Sequence, residues 1–215
     1  MRSSLTWVFD LDNTLHDANP YVFPHISRAM TAYLERYLGL DREAADALRI
    51  RYWHRYGTTL AGLMKHHAVD PHHFLWHTHQ FPALKAQVTA ERGLRQALKR
   101  LPGRKILFSN SPQHYSAAVL HVLGIRELFD AVLAVEQTRF HPKPARYGFY
   151  RLFARERVRP SRCVMVEDSL ENLKTAKALG MSTVWVRPAS SLRHPAYVDV
   201  GLPSVLDLPR AAARL

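Results

Sequence analysis

Short apolar runs alternate with amphipathic stretches along this chain of 215 residues. The apolar runs are continuous and rich in β-forming residues, which is typical of strands buried on both faces of a sheet. Strands are predicted at residues 5–9, 105–108, 131–135, 163–166 and 183–186, with a short edge strand at 197–200. Helices are predicted at residues 91–101, 111–123, 147–157 and 169–179. This alternation predicts an α/β fold, with a parallel sheet covered by helices on both faces.

The stretch between the first two strands has helical periodicity only. Helices are predicted at residues 25–38, at 42–56 behind the N-cap Asp41, at 60–67, and after the pair Asp70-Pro71. An excursion of this length exceeds a single crossover helix, so it predicts an inserted helical domain. We therefore expect a core domain of residues 1–17 and 88–215, and a helical domain of residues 18–87.

Polar residues stand where the predicted strands end. They are Asp10 and Asp12, Ser109 and Asn110, and Glu167 and Asp168. In an open parallel sheet, ligands bind at the carboxyl ends of the strands, so we expect these side chains to converge there. Two carboxylates as close as Asp10 and Asp12 suit a site that holds a cation or needs one of them protonated. An Asp-Asn turn leaving the core is the alternative, and this stretch alone does not decide between them.

These polar groups occur in a fixed order, with Lys143 standing between Pro142 and Pro144. The series Asp10-x-Asp12, Ser109-Asn110, Lys143 and Glu167-Asp168 resembles the four motifs of the haloacid dehalogenase superfamily. The resemblance implies a Rossmann-like core with a central first strand flanked by the second and fourth. It also implies that the inserted helices form a cap domain.

The resemblance further implies phosphoryl transfer. Asp10 would be the nucleophile and form an aspartyl-phosphate, while Asp12 would protonate the leaving alcohol and then activate water. Lys143 would supply a fixed positive charge, and Ser109 and Asn110 would bind the transferring phosphoryl oxygens.

The expected cofactor is Mg²⁺, because hard oxygen ligands suit it and several carboxylates beside a phosphate need a cation. The expected ligands are Asp10, Asp168, Glu167 directly or through water, and the backbone carbonyl of Asp12.

Related chemistries narrow the expected reaction. Dehalogenases of the superfamily typically lack the second aspartate, so Asp12 favours a phosphomonoester hydrolase. Phosphomutases share the core motifs and stay open, as does a phosphatase acting on a sugar phosphate or another small phosphorylated metabolite.

The inserted segments 23–26, 52–60 and 70–75 are similar to the cap of bacterial pyrimidine 5′-nucleotidases. The expected substrate is therefore a pyrimidine nucleoside monophosphate. Tyr52, Tyr56, Thr58 and Thr59 are the candidate substrate residues, and packing in the core of the cap is their alternative role.

The net charge of +12 raises a different possibility, a basic non-catalytic protein that binds nucleic acid. The basic residues are scattered and no RNA-binding signature occurs, so the expected partner is a small phosphorylated substrate. No obligate protein partner is evident.

The apolar runs and the cysteine content bear on the cellular location of the protein. No apolar run approaches the roughly 20 residues of a membrane span. The single cysteine, Cys163, excludes a disulfide framework, and no signal peptide precedes the first strand, so a cytoplasmic protein is expected.

Six histidines lie between residues 66 and 79, and His73 and His77 share a helical face that could bind a transition metal.

Overall fold

A computed structural model of the chain describes residues 5–186 and 194–212. The chain divides into two compact units. The core unit comprises Met1–Asp17 and Val88–Leu215, and the helical unit comprises Ala18–Gln87. An antiparallel bridge between Asp17 and Thr89 joins the two ends of the core unit where the chain leaves it and returns.

The core unit contains a six-stranded sheet in which every neighbouring pair of strands is parallel. The strands are β1 (Thr6–Phe9), β2 (Arg104–Phe108), β3 (Ala131–Leu133), β4 (Cys163–Glu167), β5 (Ser182–Val186) and β6 (Val200–Leu202). Their order is β3-β2-β1-β4-β5-β6, which confirms the α/β fold and the central first strand. The chain places β2 and β3 on one side of β1, and then β4, β5 and β6 on the other side. Open parallel sheets bind ligands at the point where the strand order switches sides in this way.

The edge strand was expected at residues 197–200, and that prediction was wrong in position. The backbone N–H of Val198 donates to the carbonyl of Pro195, so a turn occupies these residues. The strand begins only at Val200 and pairs with β5.

The helical unit contains α1 (Val22–Leu38), α2 (Arg42–Tyr56), α3 (Thr59–His67), α4 (Pro71–Thr78) and α5 (Leu84–Gln87). Three helices begin at side chains that cap the backbone: Asp41 accepts from Ala44, Thr58 from Ala61, and Asp70 from His73. Tyr37, in the last turn of α1, is 39% exposed.

The remaining helices belong to the core unit: α6 (Leu94–Arg100), α7 (Gln113–Val122), α8 (Arg146–Glu156), α9 (Leu170–Ala178) and α10 (Leu208–Ala211). The helix expected from residue 91 begins later, because Gly93 precedes it with φ +98°. Ser169 occupies the N-cap position of α9 but makes no capping hydrogen bond with its side chain. Among the described residues, no helix has the length and apolar character needed to cross a membrane.

The core lies on both sides of the central strand. All four residues of β1 are buried, and successive side chains of a strand point to opposite faces. On one face Val8 joins a buried cluster that includes Phe108 and Phe149, whose rings pack edge to face with centroids 5.2 Å apart. A central strand buried in this way holds the loop after Phe9 in a fixed place.

Candidate active site

Three carboxylates meet at the carboxyl ends of β1 and β4. The backbone N–H of Asp10 donates to the carbonyl of Val166 at 3.0 Å, which extends the pairing of the two strands by one residue. Glu167 ends β4 and Asp168 follows it. One carboxylate oxygen from each of Asp10, Glu167 and Asp168 lies within 4.8 Å of the other two. The structure thus groups three of the four residues expected to bind metal.

Lys143 is the counter-charge of this cluster. Its side chain is fully buried, and its Nζ donates to Oδ1 of Asp10 and to Oε2 of Glu167, both at 2.7 Å. Asn110 holds the backbone of Lys143, because its Nδ2 donates to the Lys143 carbonyl at 2.9 Å and its Oδ1 accepts from the Lys143 N–H at 2.7 Å. The amide expected to contact phosphate therefore positions the lysine loop.

Ser109 is also placed at this edge. It is buried after β2, and its Oγ accepts from the backbone N–H of Ser111 at 3.0 Å. Its backbone N–H donates to the carbonyl of Leu133 at 2.9 Å, which fixes the loop against β3.

The carboxylates carry more negative charge than one lysine offsets. Burial raises the pKa of Asp10 from 3.8 to about 7, and the Glu167 carboxylate acts in the same direction. Burial likewise raises the pKa of Glu167 from 4.5 to about 7 against the lowering effect of Lys143. Burial and the Asp10 charge also raise the pKa of Asp168. Burial alone would lower the pKa of Lys143, but Asp10 and Glu167 outweigh it and hold the ammonium charged.

This donor set fits a divalent cation with oxygen ligands. Three carboxylates and one lysine meet in a mostly buried site. Burial raises the carboxyl pKa values there, and a bound cation would favour the charged carboxylates. Mg²⁺ prefers oxygen ligands and retains several waters, so three carboxylates at one edge suit it.

Asp12 belongs to a separate network. Its Oδ1 accepts from the hydroxyl of Tyr115 at 2.7 Å and lies 2.9 Å from Nε2 of His16, while its Oδ2 accepts from the hydroxyl of Ser111 at 2.7 Å. Although burial opposes it, hydrogen bonds from His16, Tyr115 and Ser111 lower the pKa of Asp12. The carboxylate is therefore not grouped with the other three, and a metal contact through its backbone carbonyl stays a prediction.

Sequence reasoning missed the three residues around Asp12. Ser111 lies one residue beyond the Ser109-Asn110 motif, which was the available signal. Tyr115 lies in α7 and is only 1% exposed, so it fits the apolar periodicity of the helix, which gives no sign of its hydroxyl contact. Nothing in the sequence distinguished His16.

The candidate substrate residues have partners inside the helical unit. Tyr52 is buried and its hydroxyl lies 2.8 Å from Nε2 of His67. Thr59 is buried and donates to the carbonyl of Arg49 at 3.0 Å, and Thr58 caps α3. Burial of Tyr52 and Thr59 favours the packing role for these two.

Tyr56 is partly exposed, and its hydroxyl lies 2.5 Å from Nε2 of His66. The pair suggested for a transition metal, His73 and His77, has ring centroids 4.4 Å apart, and Nδ1 of His73 lies 2.8 Å from the Tyr33 hydroxyl. Within the described residues, neither histidine belongs to a group of three potential metal ligands.

Two proteins of known name are similar to this chain over part of their length. The chain is similar to Phosphate metabolism protein 8 of Saccharomyces cerevisiae, with 25% identity over 191 residues that cover 82% of this chain and 59% of the relative. It is also similar to the fructose-1-phosphate phosphatase YqaB of Escherichia coli, with 38% identity over 79 residues that cover 37% of this chain and 42% of the relative. The aligned part thus spans less than two thirds of either relative.

Solved structures share the fold over nearly the whole chain. The structure of CbbY from Rhodobacter sphaeroides in complex with phosphate matches with a TM-score of 0.69 and 21% identity, covering 96% of both chains. The family model described as haloacid dehalogenase-like hydrolase matches residues 6–180, which include every motif residue from Asp10 to Asp168. This chain therefore belongs to the haloacid dehalogenase-like hydrolases.

Proposed function

We propose that this protein is a Mg²⁺-dependent phosphomonoester hydrolase that acts through an aspartyl-phosphate on Asp10. The observation that carries the proposal is the cluster of Asp10, Glu167 and Asp168 around the buried Nζ of Lys143. A phosphate monoester is an oxygen-rich dianion, so a carboxylate can attack it only where positive charge offsets both partners. The cluster has one such charge in Lys143 and the ligands for a second.

Each residue has a proposed task. Asp10 attacks phosphorus, and Lys143 neutralises charge on the nucleophile and on the phosphoryl oxygens. Asp10, Glu167 and Asp168 would hold Mg²⁺, which when bound supplies positive charge to the transferring group. Ser109 faces the same edge of the sheet and is proposed to contact the phosphoryl oxygens.

Asp12 favours hydrolysis of a phosphate ester over dehalogenation. Attack on a carbon–halogen bond expels halide, which needs no proton, whereas an alkoxide leaving group does. Asp12 is a second carboxylate, two residues from the nucleophile and outside the metal cluster. It is therefore the proposed group for proton transfer while Asp10 forms the covalent bond.

A pyrimidine nucleoside monophosphate is the first candidate substrate, supported by the similarity of the helical segments to pyrimidine 5′-nucleotidases. A sugar phosphate is the second, because relatives of this chain are named fructose-1-phosphate phosphatase and hexitol phosphatase B. The core motifs are proposed to contact only the phosphoryl group, which both classes carry, so the helical unit is proposed to discriminate between them.

A panel of phosphate esters tests the proposal. With Mg²⁺, the protein should hydrolyse p-nitrophenyl phosphate, and Asp10→Asn should lower turnover by several orders of magnitude because the amide is not a nucleophile. Higher kcat/KM for UMP, CMP or dTMP than for AMP, GMP and fructose 1-phosphate would support the nucleotidase, and the reverse order would support the sugar phosphatase. Full activity in Asp10→Asn would refute the covalent mechanism.

Tyr56 and Thr58 test the assignment of the specificity residues. If they contact the base, Tyr56→Phe and Thr58→Ala should lower kcat/KM for UMP more than for p-nitrophenyl phosphate. Equal losses on both substrates would assign these side chains to the packing of the helical unit.

A further inference from the structure

The Asp12 carboxylate is surrounded by donors from three separate segments of the core unit. His16 follows β1 and forms a parallel bridge with Asp12, Ser111 follows β2, and Tyr115 lies in the first turn of α7. The two hydroxyls approach at 2.7 Å, and the imidazole Nε2 is 2.9 Å away. Both carboxylate oxygens are thus engaged without any contribution from Lys143.

Burial makes this arrangement rigid. The His16 side chain is fully buried and Tyr115 is 1% exposed, whereas 11% of the Asp12 side chain is accessible. A buried hydroxyl beside a carboxylate donates to it, and bonds of this kind are short and strong because the acceptor is charged. The three donors fix the direction of the Asp12 carboxylate, and part of its side chain stays accessible.

His16 contacts Asp12 through Nε2, and its other ring nitrogen, Nδ1, lies in a buried environment. Nδ1 has no hydrogen-bond partner among the residues that the structure describes. A buried polar atom without a partner is unfavourable, and a fold that only needed to fill this space would gain by using an apolar side chain. The imidazole is therefore best explained by what its Nε2 does for Asp12.

We propose that Ser111, Tyr115 and His16 are positioning residues that hold Asp12 ready to accept a proton from water in the second half of the reaction. This inference rests on the proposed phosphatase function. In that step a water oxygen bonds to phosphorus, and the bond from phosphorus to the Asp10 oxygen breaks, returning its electron pair to the carboxylate. The water proton passes to Asp12, and inorganic phosphate leaves.

The donors affect the two half-reactions differently. Each donor fixes the direction of the Asp12 carboxylate, and the carboxylate must be aligned with the attacking water to take its proton. Transfer from p-nitrophenyl phosphate to Asp10 needs no proton donor, because p-nitrophenolate leaves as an anion. Loss of a donor should therefore slow hydrolysis of the aspartyl-phosphate and leave its formation from this substrate nearly unchanged.

Burst kinetics on the full chain with Mg²⁺ test the inference. For Tyr115→Phe and Ser111→Ala we expect kcat for p-nitrophenyl phosphate to fall about tenfold or more, which is part of the roughly 10²–10⁴-fold that acid–base catalysis contributes. We expect kcat/KM to stay within about threefold, since it reports formation of the intermediate. A burst of p-nitrophenolate approaching one per active site should appear, with phosphoenzyme recoverable after acid quench.

Matched variants separate positioning from packing. Ser116→Ala removes a buried hydroxyl without a partner from the next position of α7, so it should change neither the burst nor kcat. Ser111→Thr keeps a hydroxyl and should restore most of the kcat that Ser111→Ala loses. His16→Gln, whose amide can donate from near the position of Nε2, should retain more kcat than His16→Leu.

The outcomes are distinguishable. Parallel falls in kcat and kcat/KM without phosphoenzyme accumulation, in variants that melt like the wild type, would overturn the positioning role. A wild-type protein without turnover on any phosphate ester would overturn the proposed function, and this inference with it.

Discussion

Replacing Lys143 by Met should destabilise the fold as well as abolish catalysis. The lysine side chain is fully buried, and its Nζ makes 2.7 Å ion pairs with Asp10 and Glu167. Methionine has a similar length and no charge, so it fills the space but leaves two carboxylates of the cluster unpaired. Removing one partner of a buried ion pair costs about 3–5 kcal/mol.

That cost depends on pH in a defined direction. The pKa of Asp10 and that of Glu167 are about 7 with the lysine present, and Lys143 lowers both, so its loss raises them further. Below pH 6 both carboxylates of the variant can be protonated when it folds. Near pH 8 the variant must either bury charged carboxylates or protonate them at a low proton concentration, and both cost free energy. The destabilisation should therefore widen as the pH rises through 7.

Thermal melts in EDTA at pH 6 and pH 8 measure this effect. A loss of 3–5 kcal/mol corresponds to a Tm lower by about 6–20 °C in a chain of this size, at about 2–4 °C per kcal/mol. Lys105→Met is the matched control, because the Nζ of this buried lysine donates to the carbonyls of Leu101 and Gly103. Its penalty should widen less between pH 6 and 8 than that of Lys143→Met, because the hydrogen-bond partners of Lys105 are uncharged carbonyls. A Lys143→Met penalty that is absent, or constant with pH, would refute the charge argument.

Three further outcomes are expected. In wild type without metal, the raised pKa values of Asp10 and Glu167 mean that the folded state binds more protons than the unfolded state from about pH 4 to 7. Urea titrations should therefore show that the free energy of unfolding falls as the pH rises across that window. EDTA should abolish phosphatase turnover, and Mg²⁺ should restore it better than Ca²⁺, which takes more ligands at longer distances; equal rates with the two ions would argue against a compact site. Gly62→Ala should lower the Tm, because a Cβ there would overlap the Tyr52 ring and overpacking costs about 1–3 kcal/mol, while the exposed Ala47→Gly should lower it less.

The grouping of Asp10, Glu167 and Asp168 was predictable because these residues stand where two strands end, and Lys143 was predictable from the order of the motifs in the family resemblance. Parallel strands carry such residues to one edge, so sequence order and strand ends suffice to bring them together. The parallel strands themselves were visible as continuous apolar runs, and most of their bounds were right within one or two residues.

The network around Asp12 could not be predicted, because it depends on side-chain direction. Tyr115 satisfies the helical apolar period equally well whether or not its hydroxyl is bonded, and His16 lies in a loop without periodicity. Asn110 is expected from its motif to bind phosphate, and that stays a prediction. Its amide also pairs with the backbone of Lys143, a contact across 33 positions of sequence that the motif does not show. The side-chain directions of Tyr52 and Thr59 could not be predicted either, since the sequence pattern allows both residues to face solvent or to pack.

The chemical identity of the phosphorylated residue tests the central claim most directly. Enzyme quenched in acid during turnover of p-nitrophenyl phosphate, then reduced with borohydride, should yield one peptide in which Asp10 has become homoserine, since an aspartyl-phosphate is an activated acyl group. Asp10→Asn and substrate-free enzyme should yield none. Sustained turnover with no modified peptide, or with the modification on Asp12 or another residue, would contradict an aspartyl-phosphate at Asp10.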